Sequence, residues 1–260
     1  MPPGTSPEAP LNDRQQQILA LVREQGFVTV ETLAGRFNVT SQTVRRDIIR
    51  LESLALLQRF HGGAGLRNAT ARPAYADKRH AALDAKARIA RRAAELIPNG
   101  AAVYLDVGTT AEAVAEALRE KESLRVFTNN LRAAAILAGL PWIELFVTGG
   151  FVHGPDGSMV GESVGRSLRD LRPDVAVIAY SGFDDDGALM DFDLQKVAVK
   201  QMMIAQARAA LAVGDAGKFQ RAATMRIARL EALSGLVSDA EPPEPLAALI
   251  ADSGLALHLA

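Results

Sequence analysis

The 260-residue chain contains no cysteine, one tryptophan and only four histidines. Without cysteine there is no disulfide, no thiolate metal site and no cysteine nucleophile. His61, His80, His153 and His258 are scattered, and no two stand at His-x-x-x-His spacing, so metal ligation is not expected. No apolar run reaches the length of a membrane span, and the first residues lack the basic and apolar regions of a signal peptide. A cytoplasmic protein with no membrane partner, no metal and no cofactor is the expectation. Residues 1–10, rich in proline and small side chains, read as a disordered lead-in.

What is present is ordinary globular composition: 48% hydrophobic and 23% charged residues, at a length that suits one large domain or two unequal ones. The net charge of -1 conceals an asymmetry. Residues 11–67 carry eight basic and five acidic side chains, net +3, so the remainder is net -4. A small basic module on a mildly acidic body suits an anion-binding head.

That module reads as three short helices. Asp13 to Glu24 is apolar at Ile18, Leu19, Leu21 and Val22. Thr29 caps a second helix that runs to Phe37, and Asn38-Val39-Thr40 forms the turn. Ser41 is read as the cap of a third helix, Gln42 to Leu54, buried through Val44, Ile48, Leu51 and Leu54. This spacing predicts a helix-turn-helix. Ser41, Gln42, Thr43, Arg45, Arg46 and Arg50 line the other side of the third helix, where hydroxyl, amide and guanidinium groups suit a major groove. Leu56 to His61 and the Gly62-Gly63 turn read as a small β wing, with Arg59 and His61 as further DNA contacts. A polar stretch containing Arg72-Pro73 makes residues 67–82 a linker.

From residue 83 the pattern alternates. After a first helix come strand Ala101–Leu105, helix Thr110–Glu120, strand Leu124–Thr128, helix Leu131–Ala138 and strand Ile143–Thr148. Helix Glu162–Leu171, strand Val175–Tyr180, helix Asp193–Ala207 and strand Ala209–Val213 follow. Gly235–Ser238, Leu246–Ala251 and Leu255–Leu259 close the chain as strand, helix and strand. Such alternation predicts a largely parallel sheet covered by helices.

In sheets of that kind ligands bind beyond the carboxyl ends of the strands. Those ends are Asp106 to Thr110, Thr128-Asn129-Asn130, Gly149-Gly150, Asp184, and Asp215 with Lys218. Each alone is an ordinary polar loop; together they outline a crevice for a small phosphorylated, hydroxylated molecule. Gly108 brings the backbone close, and Thr109 and Thr110 are read as caps whose hydroxyls join the first-turn N–H groups around a phosphate. Lys218 adds positive charge. Asn129, Asn130, Asp106, Asp184 and Asp215 either receive ligand hydroxyls or act as caps and turn formers.

The runs Ser41-Gln42-Thr43-Val44-Arg45-Arg46-Asp47 and Arg59-Phe60-His61-Gly62-Gly63-Ala64 resemble the DNA-binding half of the DeoR family of bacterial repressors. The likeness continues in Asp106-Val107-Gly108-Thr109-Thr110, Thr128-Asn129-Asn130-Leu131, Gly149-Gly150, and Asp215 with Lys218-Phe219. It implies an α/β protein with an N-terminal winged helix-turn-helix domain over residues 11–66. A C-terminal sugar-phosphate sensor domain, related to ribose-5-phosphate isomerase and CoA-transferase folds, would occupy residues 83–260. It further implies a homo-oligomeric repressor of a carbohydrate or glycerol catabolic operon, a dimer or tetramer on double-stranded operator DNA. The implied effector is a small phosphorylated sugar or polyol, glycerol 3-phosphate favoured. Two positions depart from the family pattern. Ala55 stands where Gly or Asn is usual, and the helix near Asp193 reads Asp193-Leu194-Gln195-Lys196-Val197-Ala198-Val199-Lys200 where many members carry a Glu and a Lys. The alternative is a sugar-phosphate isomerase-like enzyme with an accessory DNA-binding head, in which Asp106, Asp215 or Lys218 would be the base.

Overall fold

A computed structural model describes residues 11–25, 27–54, 56–60, 63–65 and 75–260. The chain divides into two compact units, Met1–Ala69 and Thr70–Ala260. Residues 1–10, Gly26, Ala55, His61, Gly62 and residues 66–74 lie outside the described residues. The expected lead-in, the family departure at Ala55, most of the wing turn and the Arg72-Pro73 stretch therefore receive no structural account.

The first unit contains α1 (Asp13–Gln25), β1 (Phe27–Thr29), α2 (Val30–Phe37), α3 (Ser41–Ser53), β2 (Gln58–Phe60) and β3 (Gly63–Gly65). Ile18, Leu21, Val22, Leu33, Val44, Ile48 and Leu51 meet in one core because they recur on a single face of each helix. Thr29 caps α2 by accepting from the Thr32 N–H at 3.1 Å. Asn38 ends α2 in the left-handed region, φ 50°, and its N–H returns to the Ala34 and Gly35 carbonyls. The cap of α3 is Thr40, not Ser41: Thr40 is extended and accepts from the Thr43 N–H at 3.2 Å, while Ser41 is already helical. With two adjacent hydroxyl residues, the extended backbone and the bond to the third N–H decide the assignment. A three-stranded sheet in the order β1-β3-β2 completes the wing, and its strand β1 was not apparent in the sequence.

In the second unit α4 (Tyr75–His80) and α5 (Leu83–Glu95) precede β4 (Ala102–Leu105), α6 (Thr109–Leu118), β5 (Leu124–Thr128), α7 (Leu131–Leu137) and β6 (Ile143–Val147). A hairpin, β7 (Phe151–His153) and β8 (Ser158–Val160), leads to α8 (Glu162–Leu168) and β9 (Val175–Ala179). Then come β10 (Gly182–Phe183), β11 (Leu189–Asp191), α9 (Leu194–Gln206), β12 (Ala209–Val213), β13 (Met225–Ala228), β14 (Gly235–Ser238), α10 (Leu246–Ser253) and β15 (Ala256–Leu259). The strands of the large sheet run in the order β15-β14-β12-β9-β4-β5-β6, and every pairing is parallel.

Two apolar layers sandwich the sheet. Ile89, Ala93, Val114, Ala115, Ala133 and Leu137 of α5, α6 and α7 cover one face over Val103, Leu105, Val126 and Val177. Val164, Leu168, Val197, Met203 and Ile250 of α8, α9 and α10 cover the other over Tyr104, Ala176, Ile178 and Ala212. Strands buried on both faces read as continuous apolar runs, which is why they stand out in the sequence. The β7–β8 hairpin and the small sheet β10-β11-β13 were not expected; both are built from strands of two to four residues inside loops. Helix α4 likewise falls within the stretch read as linker.

The chain builds outward from β4 through β5 to β6, then returns to the other side of β4 with β9. The reversal of strand order therefore lies between β4 and β9, the place where α/β sheets open a crevice.

Candidate functional site

In the first unit, α3 presents Ser41, Gln42, Arg45 and Arg46 to solvent, with Thr43 and Arg50 half-buried beside them. The opposite face carries Val44, Ile48 and Leu51, so the polar stripe follows from helical periodicity. Asp47, inside the same motif, does not face outward. It is buried, accepting from Arg14 Nε at 2.6 Å and from Gln15 Nε2 at 3.0 Å. The pair fastens α3 to α1 and so fixes the angle at which the arginines are offered. The Arg59 side chain and His61 lie outside the described residues.

In the second unit the Asp106–Thr110 segment leaves β4 at the strand-order reversal. Gly108 has φ 120°, a conformation open to glycine, and an added Cβ would lie 3.7 Å from Ala179 Cβ. Thr109 and Thr110 are not caps: Gly108 occupies the cap position with no side-chain cap bond, and both threonines belong to the first turn of α6. A glycine cap leaves the first N–H groups of α6 without a side-chain acceptor from the chain, at the positive end of the helix dipole.

Lys218 approaches this turn from the short 3-10 helix after β12. Its Nζ lies 3.3 Å from Thr110 Oγ1, 3.8 Å from Asp215 Oδ2 and 5.3 Å from the centre of the Tyr180 ring. Burial pushes its pKa down to about 8; Asp215 opposes the shift, and Arg221, Lys86 and Lys78 add to it. Burial also lowers Lys86 and Arg221; Asp215 opposes both shifts, and Glu112 opposes that of Lys86 as well. Two buried lysines, Lys86 and Lys218, and the half-buried Arg221 thus lie near one another, with Asp215 and Glu112 as nearby anions. The Tyr180 hydroxyl is buried here and makes no hydrogen bond among the described residues. Gly214 is required beneath it, since a Cβ would come within 2.6 Å of the Tyr180 ring.

The remaining residues expected at the strand ends have partners inside the fold. Asp106 is buried, pairs with Lys200 Nζ and accepts from the Ala179 N–H at 3.0 Å. Lys200 also lies 3.3 Å from Asp191 and donates to the Ala179 carbonyl at 2.6 Å. Burial alone would lower the Lys200 pKa; Asp106 and Asp191 more than offset it and hold it above its ordinary value. Thr128 donates to the Leu105 carbonyl at 2.7 Å, and Asn129 joins Tyr104 at 2.8 Å to the Met159 carbonyl at 3.0 Å. Asn130 caps α7 through Arg132 and Ala133 and donates to the Asp106 carbonyl at 3.2 Å. Asp184 closes its own turn and takes Arg226 at 2.6 Å. These bonds tie the strand ends to one another and to the helices and loops that follow them. Gly149 and Gly150 are exposed in the loop after β6, and Gly150 leaves no room for a Cβ, which would meet Val164 at 2.9 Å.

Sequence reasoning passed over Lys86, Arg221, Lys200 and Tyr180. Each acquires its role from a partner distant in the chain, and a lone lysine on an amphipathic helix carries no local signal. Among the described residues no group of acidic and histidine side chains is gathered for a metal ion, and no helix is long and apolar enough to cross a membrane.

Comparison with known proteins agrees with both halves. Residues 14–70 match the DeoR-like helix-turn-helix domain, and residues 81–240 match the DeoR C-terminal sensor domain. The chain belongs to the DeoR family. It is 35% identical over 246 residues to the glycerol-3-phosphate regulon repressor of Escherichia coli, covering 95% of this chain and 98% of that one. The repressor of the same name from Haemophilus influenzae is 38% identical over 217 residues, covering 84% of this chain and 85% of the other. The HTH-type transcriptional repressor CsqR of Escherichia coli is 35% identical over 248 residues, with 95% of each chain covered. Among solved structures, ribose 5-phosphate isomerase A from Methanocaldococcus jannaschii overlaps 53% of this DeoR-family chain and 55% of its own, at TM-score 0.39 and 15% identity. RipA from Yersinia pestis overlaps 61% of this chain and 45% of its own, at TM-score 0.40 and 16% identity.

Proposed function

We propose that this DeoR-family protein is a transcriptional repressor of a glycerol or related carbohydrate operon, released from its operator by glycerol 3-phosphate. The observation that carries the effector reading is the buried Lys218 amine set 3.3 Å from Thr110 Oγ1 at the glycine-capped first turn of α6, with Lys86 and Arg221 close enough to Lys218 to lower its pKa. A phosphate there would accept from the α6 N–H groups and the threonine hydroxyls, and would be attracted by the charge of Lys218. The Tyr180 hydroxyl and Asp215 stand beside this position for the hydroxyls of a short polyol. Relatives whose names specify a glycerol-3-phosphate regulon favour that ester over larger sugar phosphates.

Affinity for DNA would come mainly from phosphate contacts, and sequence choice from Gln42, Arg45 and Arg46. One helix reads few base pairs, so the repressor works as a dimer or tetramer on repeated half-sites. The boundaries 11–66, 67–82 and 83–260 separate reader, linker and sensor in this scheme. The isomerase-like alternative is weakened by Asp106, whose carboxylate is tied to Lys200 and the Ala179 N–H and so is not placed to take a proton from a substrate.

The test is a thermal-shift panel of small phosphate monoesters, followed by operator release with each. A ligand that binds the native state raises its apparent stability. Glycerol 3-phosphate should give the largest shift and release the DNA. A larger sugar phosphate that surpasses it in both would overturn the effector assignment.

A further inference from the structure

The two apolar layers do not cover the large sheet equally. Leu124 and Val126 of β5, with Ile143 and Leu145 of β6, pack into the layer formed with α5, α6 and α7. The opposite layer takes side chains from β4, β9, β12 and β14 and none from β5 or β6. Strand alternation puts Arg125, Phe127, Glu144 and Phe146 on that second face. Phe127 is half-buried there, its ring centre 5.6 Å from that of Phe146, and Phe146 is 45% exposed. All-parallel sheets occur almost only with both faces covered, so this open flank is an exception.

The apolar surface continues along the edge. Strand β6 pairs only with β5 and ends the large sheet. After Gly149-Gly150 the chain enters β7, where Phe151 is 73% and Val152 45% exposed. Ten large apolar side chains are exposed among the described residues, and five of them fall within residues 142–152: Trp142, Phe146, Val147, Phe151 and Val152. Such concentration in one short stretch marks a contact surface rather than scattered exposure. The edge strand also carries no lysine, proline or bulge to discourage pairing.

We propose that this flank of β5, β6 and β7 is where two copies of the chain meet about a two-fold axis. Its charges select a second copy over an unrelated apolar partner. Arg125 and Glu144 are direct neighbours in the β5–β6 register, both are exposed, and neither joins an ion pair among the described residues. A two-fold contact sets one patch against the same patch, so that each residue of a pair meets the other's counterpart. Arg125 then meets Glu144 of the partner subunit, and Glu144 meets Arg125 of the partner subunit, while Phe146 and Phe151 lose their exposure. The contact shares with the repressor reading only the need for more than one copy on repeated half-sites, and it holds whatever the effector is.

The test is sedimentation velocity on the full chain: wild type, Arg125→Glu, Glu144→Arg, and the two variants mixed in equal amounts. The wild type should be a dimer, or a tetramer in which this is one of two contacts. Each single reversal opposes like charges within its own pair and should raise the dissociation constant of the contact about tenfold or more. A dimer would then fall to monomers and a tetramer to dimers. The mixture should recover the wild-type assembly, because every like pair becomes an opposite one. A charge pair confined to one chain cannot produce that recovery.

Circular dichroism shows whether each variant is folded; if a reversal is not, Phe146→Ser with Phe151→Ser takes its place and should likewise break the contact. Folded variants that keep the wild-type assembly, or single reversals that dissociate and do not recover on mixing, would overturn this surface and leave the repressor reading standing. A wild type that is monomeric at micromolar concentration would overturn both the contact and the reading of a repressor that works as several copies.

Discussion

Lys218 and Thr110 meet across the crevice, Nζ to Oγ1 at 3.3 Å, although they come from opposite sides of the strand-order reversal. The lysine is buried, and its pKa is about 8. A phosphate binds best while this amine is charged, so affinity should be constant at neutral pH and fall as pH rises above about 8. The limiting loss is tenfold per pH unit until the pKa of the bound state is reached. Calorimetric titrations of glycerol 3-phosphate between pH 6.5 and 9.5 would check it. Affinity independent of pH across that range would mean that Lys218 does not meet the ligand.

Thr109→Val with Thr110→Val should give a super-repressor. Both changes keep the approximate shape and remove hydroxyls from the first turn of α6. Each hydrogen bond lost to a charged group costs roughly 1.5–3 kcal/mol, so effector affinity should fall by about 10²–10⁴. Operator binding without effector should persist, because another unit reads the DNA. Anisotropy titrations measure both.

Arg45→Ala and Arg46→Ala should do the reverse. Both side chains are exposed on α3, away from the core formed by Val44, Ile48 and Leu51. If one reads a guanine, losing it costs roughly 1–3 kcal/mol of operator affinity and relaxes one position of the site. Glycerol 3-phosphate affinity should not change, and binding to a set of singly substituted operators separates the two arginines.

Lys200→Ala should damage stability rather than recognition. It leaves Asp106 and Asp191 buried without their cation, and breaking a buried pair costs about 3–5 kcal/mol. Sensor unfolding in urea should shift to lower denaturant with little change in slope, while unfolding of the head stays in place. Equal unfolding curves would show that the triad carries no load.

The sequence made the strand ends legible, and with them Gly108, Thr109, Thr110 and Lys218, because each follows a short apolar run that only a buried strand explains. The recognition helix was legible for the same kind of reason: Val44, Ile48 and Leu51 fix which side Arg45 and Arg46 must face. Partners were not legible. Nothing local distinguishes Asp106 as a buried ion pair from Asp106 as a ligand contact, since Lys200 lies 94 residues away. Tyr75 and Glu112 are 37 residues apart, and α4 reads as linker because its six residues have one buried apolar side chain to announce them. The cap assignments missed by one residue at Thr40, and by the choice of a glycine over hydroxyls at Gly108. In both cases backbone conformation decides, and side-chain chemistry alone does not show it.

In this scheme a phosphate held by Lys218 at the α6 turn releases the operator. The most direct measurement is glycerol 3-phosphate titrated into preformed protein–operator complex, wild type beside Lys218→Met, which keeps the bulk and removes the charge. The wild type should be released, and the variant should require about 10–100-fold more effector, with unchanged operator affinity before effector is added. A folded Lys218→Met protein that leaves DNA at the wild-type effector concentration would contradict it.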